Sequence, residues 1–147
     1  MGETSKLKYD AAKKIVNELE AGVNSLVSTK ASLEQVYREI HALSKGTGPN
    51  NGQMLAAKVA EMDRLETELK RQLSLVAYAS GGARTAVLDY GEYLGRKTEK
   101  YKSLTDVLKK KTLAEHQANY IELSPKLYNL VEKLHPIVAY AKTLPEG

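Results

Sequence analysis

Apolar residues recur on heptad spacing through residues 4–45. One row reads Ala12, Leu19, Leu26, Leu33, Ile40, the other Ile15, Gly22, Thr29, Val36, Leu43, and Val16, Val23 and Tyr37 widen the stripe. A stripe this broad predicts a helix packed against more than one neighbour. At about 1.5 Å per residue, its roughly 40 residues would span about 60 Å. Gly46-Thr47-Gly48-Pro49-Asn50-Asn51-Gly52 predicts its end, because these residue types favour turns and tolerate left-handed backbone.

A second helix is expected over 53–79, with Leu55, Val59, Met62, Leu65, Leu69, Leu73 and Val76 on one face and Glu66 paired with Lys70. Ser80-Gly81-Gly82 predicts a break. A third helix over 83–111 carries Val87, Tyr90, Leu94, Tyr101, Leu104 and Leu108. Near residue 111 three cues coincide. Lys109-Lys110-Lys111 suits a helix C-terminus, Thr112 with Glu115 forms a capping-box pattern, and the apolar phase slips. These predict a bend there, with one helix running on to Leu123 as the alternative. The last helix, 112–142, carries Leu127, Leu130, Val131, Leu134 and Val138. Kinks are expected near 124, where Ser124-Pro125 reads as N-cap and first helical residue, and near 135, before Pro136.

Short links between long amphipathic helices make neighbours antiparallel. The predicted fold is all-α: one domain over 1–147, an up-and-down antiparallel bundle of four helices, or three long helices with a broken C-terminal arm. No run alternates apolar and polar residues as a strand would.

Composition agrees. Ala, Glu, Lys, Leu and Arg make up about half of the chain, a signature of long helices when a helical period accompanies it. The absence of cysteine excludes a disulfide scaffold, a thiolate zinc site and a cysteine nucleophile. No apolar run approaches about 18 residues and no charged-then-apolar leader is present, so a cytoplasmic protein without a membrane span is expected. Lys6 stands where a myristoylation signal needs Ser or Thr.

The candidate chemistry is sparse. The loop over 46–52 has the wrong spacing for GxGxxG, carries Gln53 where a phosphate loop needs Lys, and follows no predicted strand. Glu132 and His135 match one Glu-x-x-His element of the di-iron bundles, which need two such elements and two further glutamates. His41 and His116 add no spacing of their own. No catalytic motif appears, so no metal, no cofactor and no enzymatic activity are expected. Gly91 and Gly95 have GxxxG spacing, read in a charged helix as permitting close helix packing.

Nine tyrosines occur with no Phe or Trp. Tyr37, Tyr90, Tyr101 and Tyr128 fall on or beside the apolar stripes, and Tyr9, Tyr93 and Tyr140 at their margins. Such rings suit a core edge with the hydroxyl reaching water, or an aromatic surface for a partner. Net charge is +4, concentrated in residues 96–111. There Arg96, Lys97, Lys100, Lys102, Lys109, Lys110 and Lys111 oppose only Glu99 and Asp106.

The leading expectation is a non-enzymatic helical interaction module, a subunit or adaptor of a larger assembly, with a protein partner or a second copy on an apolar seam. A first helix of about 60 Å against two of about 42 Å would leave an overhang. The overhang would expose Leu26, Leu33, Val36, Tyr37 and Ile40, or at the other end Leu7, Ala12 and Ile15. The alternative is a self-contained bundle whose basic stretch binds an anionic surface: acidic protein, membrane headgroups or, least favoured for want of a recognition motif, nucleic acid. A third reading has tyrosine hydroxyls fixing a small polar molecule between helices.

Overall fold

Three long helices carry the chain: α1, Gly2–Ser44; α2, Asn51–Tyr101; and α3, Val107–Lys142. The computed structural model describes residues 2–101 and 107–145, and no strand occurs among them. The fold is all-α, an up-and-down antiparallel bundle of three helices. Lys102, Leu104 and Asp106 lie outside the described residues.

α1 begins and ends within two residues of its expected limits. At its end, Asn51 Nδ2 donates to Leu43 O at 2.6 Å and to Gly46 O at 3.3 Å, satisfying carbonyls that have no helical partner. A Cβ on Gly46 would meet Asn51 Oδ1 at 2.8 Å, so the glycine makes room for this cap. No described residue has a positive φ, so these glycines act through space, not through left-handed backbone.

The helix divisions after residue 79 need correction. α2 runs unbroken through Ser80-Gly81-Gly82 to Tyr101, merging the expected second helix with most of the expected third. Glycine in a helix costs about 1 kcal/mol relative to alanine but does not end it unless another conformation is required. At Gly82 the reason is packing: a Cβ there would lie 2.7 Å from Ile15 Cδ1. α3 likewise runs through Lys111 and Thr112, through Ser124-Pro125 and through His135-Pro136. Residues 111–112 therefore form neither a helix end nor a cap, and Ser124 is not an N-cap. Each proline forgoes one ladder bond, and the helix continues across it.

The chain divides into two compact units, residues 1–21 with 77–133, and residues 22–76 with 134–147. In the first, Ala12, Val16 and Leu19 of α1 are buried with Ala83, Val87, Tyr90 and Leu94 of α2 and Leu113, Leu123, Leu127 and Leu130 of α3. Tyr90, fully buried, organises one end. Its ring lies 5.8 Å from Tyr9, 6.0 Å from His116 and 6.3 Å from Tyr120. Its hydroxyl sits 2.7 Å from His116 Nδ1 and donates to His116 O at 3.1 Å. Burial pushes this phenol up to about 12. Lys8 pairs with Asp89 at 2.7 Å, and Lys126 with Glu20 at 3.4 Å.

In the second unit, Val23, Leu26, Leu33 and Val36 of α1 are buried with Leu65, Leu69 and Val76 of α2 and Leu134, Ile137 and Leu144 of the C-terminal segment. A Cβ on Gly22 would lie 2.7 Å from Val76 Cγ2. Thr29 donates to Gln72 at 2.9 Å, Tyr37 donates to Glu66, and Lys58 pairs with Glu39 at 2.5 Å. Paired residue numbers rise on α1 while they fall on α2, as antiparallel neighbours require.

Candidate functional site

The expected overhang is absent. Leu26 and Leu33 are fully buried and Val36 nearly so. Tyr37 and Ile40 are half-buried, with the Tyr37 hydroxyl committed to Glu66. The premise failed because α2 has 51 residues against 43 in α1, so no short partner leaves the α1 seam uncovered. At the other end Leu7 is exposed, Ile15 half-buried and Ala12 fully buried.

An outward apolar row does exist, on α3. Val107, Ile121 and Tyr128 are 76%, 67% and 65% exposed, and Ala114, Ala118 and Pro125 are exposed beside them. Val107, Ala114, Ile121 and Tyr128 stand at seven-residue intervals, with Lys111, Ala118 and Pro125 as the interleaved row. The core residues Leu123, Leu127, Leu130 and Leu134 occupy the far side of the helix, and Leu113 its flank. At about 3.6 residues per turn, Ile121 and Leu130 project half a turn apart. α3 is therefore apolar on two opposite faces, with one face used inside the chain.

Sequence reading missed this row, although one signal was present. The phase slip near residue 111 marks the overlap of two apolar rows on one continuous helix. Tyr128, expected on or beside the apolar stripe, belongs to the outer row.

Beside Ile121 lies a shallow depression of about 290 Å³ between α2 and α3, floored by Leu94 and the open face of Gly95, with Tyr120 and Gln117 on its wall. Gln117 Nε2 donates to Thr98 Oγ1 at 2.9 Å and fixes the rim. Gly91 and Gly95 thus serve different ends. Gly91 admits the Tyr120 ring, whereas nothing lies within 4 Å of a Cβ on Gly95.

The basic stretch falls on the end of α2 and the start of α3. Arg96, Lys100, Lys109, Lys110 and Lys111 are exposed, Lys97 is half-buried with its ammonium 5.4 Å from the Tyr93 ring centroid, and Lys102 lies outside the described residues. Lys109, Lys110 and Lys111 sit in the first turns of α3, where the positive end of the helix dipole adds to their charge. The sequence reading had placed them at a helix C-terminus.

The other candidates show little chemistry. Glu132 and His135 are both exposed, and no group of three or more His, Asp or Glu side chains among the described residues could hold a metal ion. The hydroxyls of Tyr37 and Tyr90 are engaged by Glu66 and His116, which takes both from the internal-ligand reading. No helix among the described residues is long and apolar enough to cross a membrane. Comparison with known proteins finds no matching family model, no matching curated protein and no matching solved structure.

Proposed function

We propose that this protein is a non-enzymatic helical interaction module, a subunit or adaptor that docks a partner helix on the outer face of α3. The observation that carries the reading is the exposed heptad row Val107, Ala114, Ile121 and Tyr128. Single exposed apolar residues are ordinary on a protein surface and need no function. Large ones spaced by seven along one helix are a different matter, because that period matches the seam of a second helix. The small residues Ala114 and Ala118 between them would let a partner backbone come close.

The test is photo-crosslinking from p-benzoylphenylalanine placed at Ile121 or Tyr128, in the cells that make the protein, with Leu75 as control. Leu75 is 58% exposed on α2 and off this row. Defined adducts at the α3 positions and none at Leu75 are expected. Equal labelling at all three positions, or none at Ile121 and Tyr128, would sink the reading.

A second reading keeps the basic end as a surface for an anionic partner. It is supported by the exposed Lys109, Lys110 and Lys111 at a helix start that reinforces their charge. Binding of this kind should weaken steeply as salt rises and on reversal of these three lysines to glutamate. Docking on the apolar row should respond to neither.

A further inference from the structure

The charges flanking the outer row of α3 match a second copy of the same helix. We infer that the chain forms a weak parallel homodimer through α3, an inference that rests on reading the row as a helix-docking surface. With Val107, Ala114, Ile121 and Tyr128 as heptad position d, and Lys111, Ala118 and Pro125 as position a, the flanking residues are set. Position g carries Lys110, Gln117, Ser124 and Val131, and position e carries Leu108, Glu115, Glu122 and Asn129. Lys110, Glu115, Glu122 and Asn129 are exposed, and Gln117 and Ser124 half-buried.

In a parallel in-register pair, each g residue faces the e residue five positions on in the other helix. That sets Lys110 against Glu115 of the second copy and Ser124 against Asn129, while Gln117, opposite Glu122, stays bonded to Thr98 of its own chain. Every pair is complementary or neutral. In an antiparallel pair e faces e and g faces g, which sets Glu115 against Glu122 and opposes like charges twice. On one flank the second helix would lie beside α2, where Ile121 and Gln117 border the depression against Leu94 and Thr98, and the core residues Leu123 and Leu130 are turned away from it.

Lys111 at position a opposes its own copy in such a pair. A lysine at a single a position lowers stability while specifying register and oligomeric state. Together with Ala114 and Ala118, which bury little area, it sets the affinity low. The dimer is therefore expected to form at tens to hundreds of micromolar, and the mass should rise with concentration from the 16.2 kDa chain toward twice that value.

The experiment uses sedimentation equilibrium of the full chain across this range, followed by disulfide trapping. The protein has no cysteine, so an introduced thiol reports only its own position. Ala114→Cys alone and Tyr128→Cys alone should each give a covalent dimer on oxidation, as identical d positions meet in a parallel pair. Ile121→Asp should raise the dissociation constant at least about tenfold, the equivalent of about 1.4 kcal/mol, with an unchanged thermal midpoint. A dimer seen by sedimentation in which neither cysteine variant can be trapped on its own would overturn the parallel arrangement. A chain monomeric at every concentration would overturn self-docking altogether. In that case, crosslinks from Ile121 to another protein would leave the docking surface standing with a different occupant, and their absence would remove both.

Discussion

The ring of Tyr120 on α3 fills the space that a side chain at Gly91 on α2 would need: a Cβ there would lie 2.7 Å from ring Cε2 and 2.8 Å from Cζ. A planar ring cannot yield as a flexible chain end can. Gly91→Ala is therefore expected to lower stability by up to about 2 kcal/mol, because overpacking of about 1–3 kcal/mol opposes a helix-propensity gain of about 1. Gly22→Ala should behave alike, since Val76 is stiff about χ1 in a helix. Gly81→Ala and Gly95→Ala meet nothing within 4 Å and should stabilise by about 0.5–1 kcal/mol. Urea midpoints of the four variants decide it, and a stabilising Gly91→Ala would show that Tyr120 is not held where it lies.

Two tyrosines with buried hydroxyls, Tyr90 and the half-buried Tyr140, should respond differently to loss of that group. Tyr90→Phe removes both contacts with His116 and should cost about 1–2 kcal/mol. The Tyr140 hydroxyl is buried without a hydrogen-bond partner, so Tyr140→Phe should be neutral or stabilise by up to about 1 kcal/mol. Its ring, 5.0 Å from the Lys30 ammonium, is retained as phenylalanine. Equal effects in a thermal melt would count against this difference.

Alkali should destabilise the protein through its tyrosines. Burial raises Tyr90 from 10.0 to about 12; burial and the bond to Glu66 raise Tyr37; burial and the carboxylates of Glu34 and Glu66 raise Tyr140. Between its unfolded and folded pKa values, such a phenol keeps its proton in the native state and loses it on unfolding. Its contribution is complete below about pH 10 and disappears as pH climbs through about 12. Denaturant midpoints should fall over that window, with a shallower fall in Tyr90→Phe. An identical slope in that variant would remove Tyr90 from the account.

Leu33 and Ile121 separate core from surface. Leu33→Ala should cost about 2–5 kcal/mol, as expected for a fully buried leucine. Ile121→Ala should stay within about 0.5 kcal/mol in the dilute chain. Comparable losses in a chemical melt would mean that Ile121 is packed.

The helical class, the antiparallel hairpin of α1 and α2, and the inward rows of α1 could be read along the chain. Those rows obey a 3.5-residue period over many turns, and the loop around Pro49 is marked by residues that suit no helix interior. Where the helices end was legible only in part. Gly81 and Gly82 read as a terminator because sequence shows what a glycine permits, not what packs on it, and Ile15 lies 67 positions from Gly82.

The candidate surface shows the same division more sharply. Periodicity places Leu26 and Ile121 equally well on an apolar row, and it identifies Lys109, Lys110 and Lys111 as an exposed cationic run. Which apolar row is covered depends on neighbours brought together from distant parts of the chain. α1 spends its seam on α2 and the C-terminal segment, while α3, apolar on two faces, has a partner within the chain for one. Local pattern therefore determined which residues could form a seam, and tertiary packing alone decided which seam was left over.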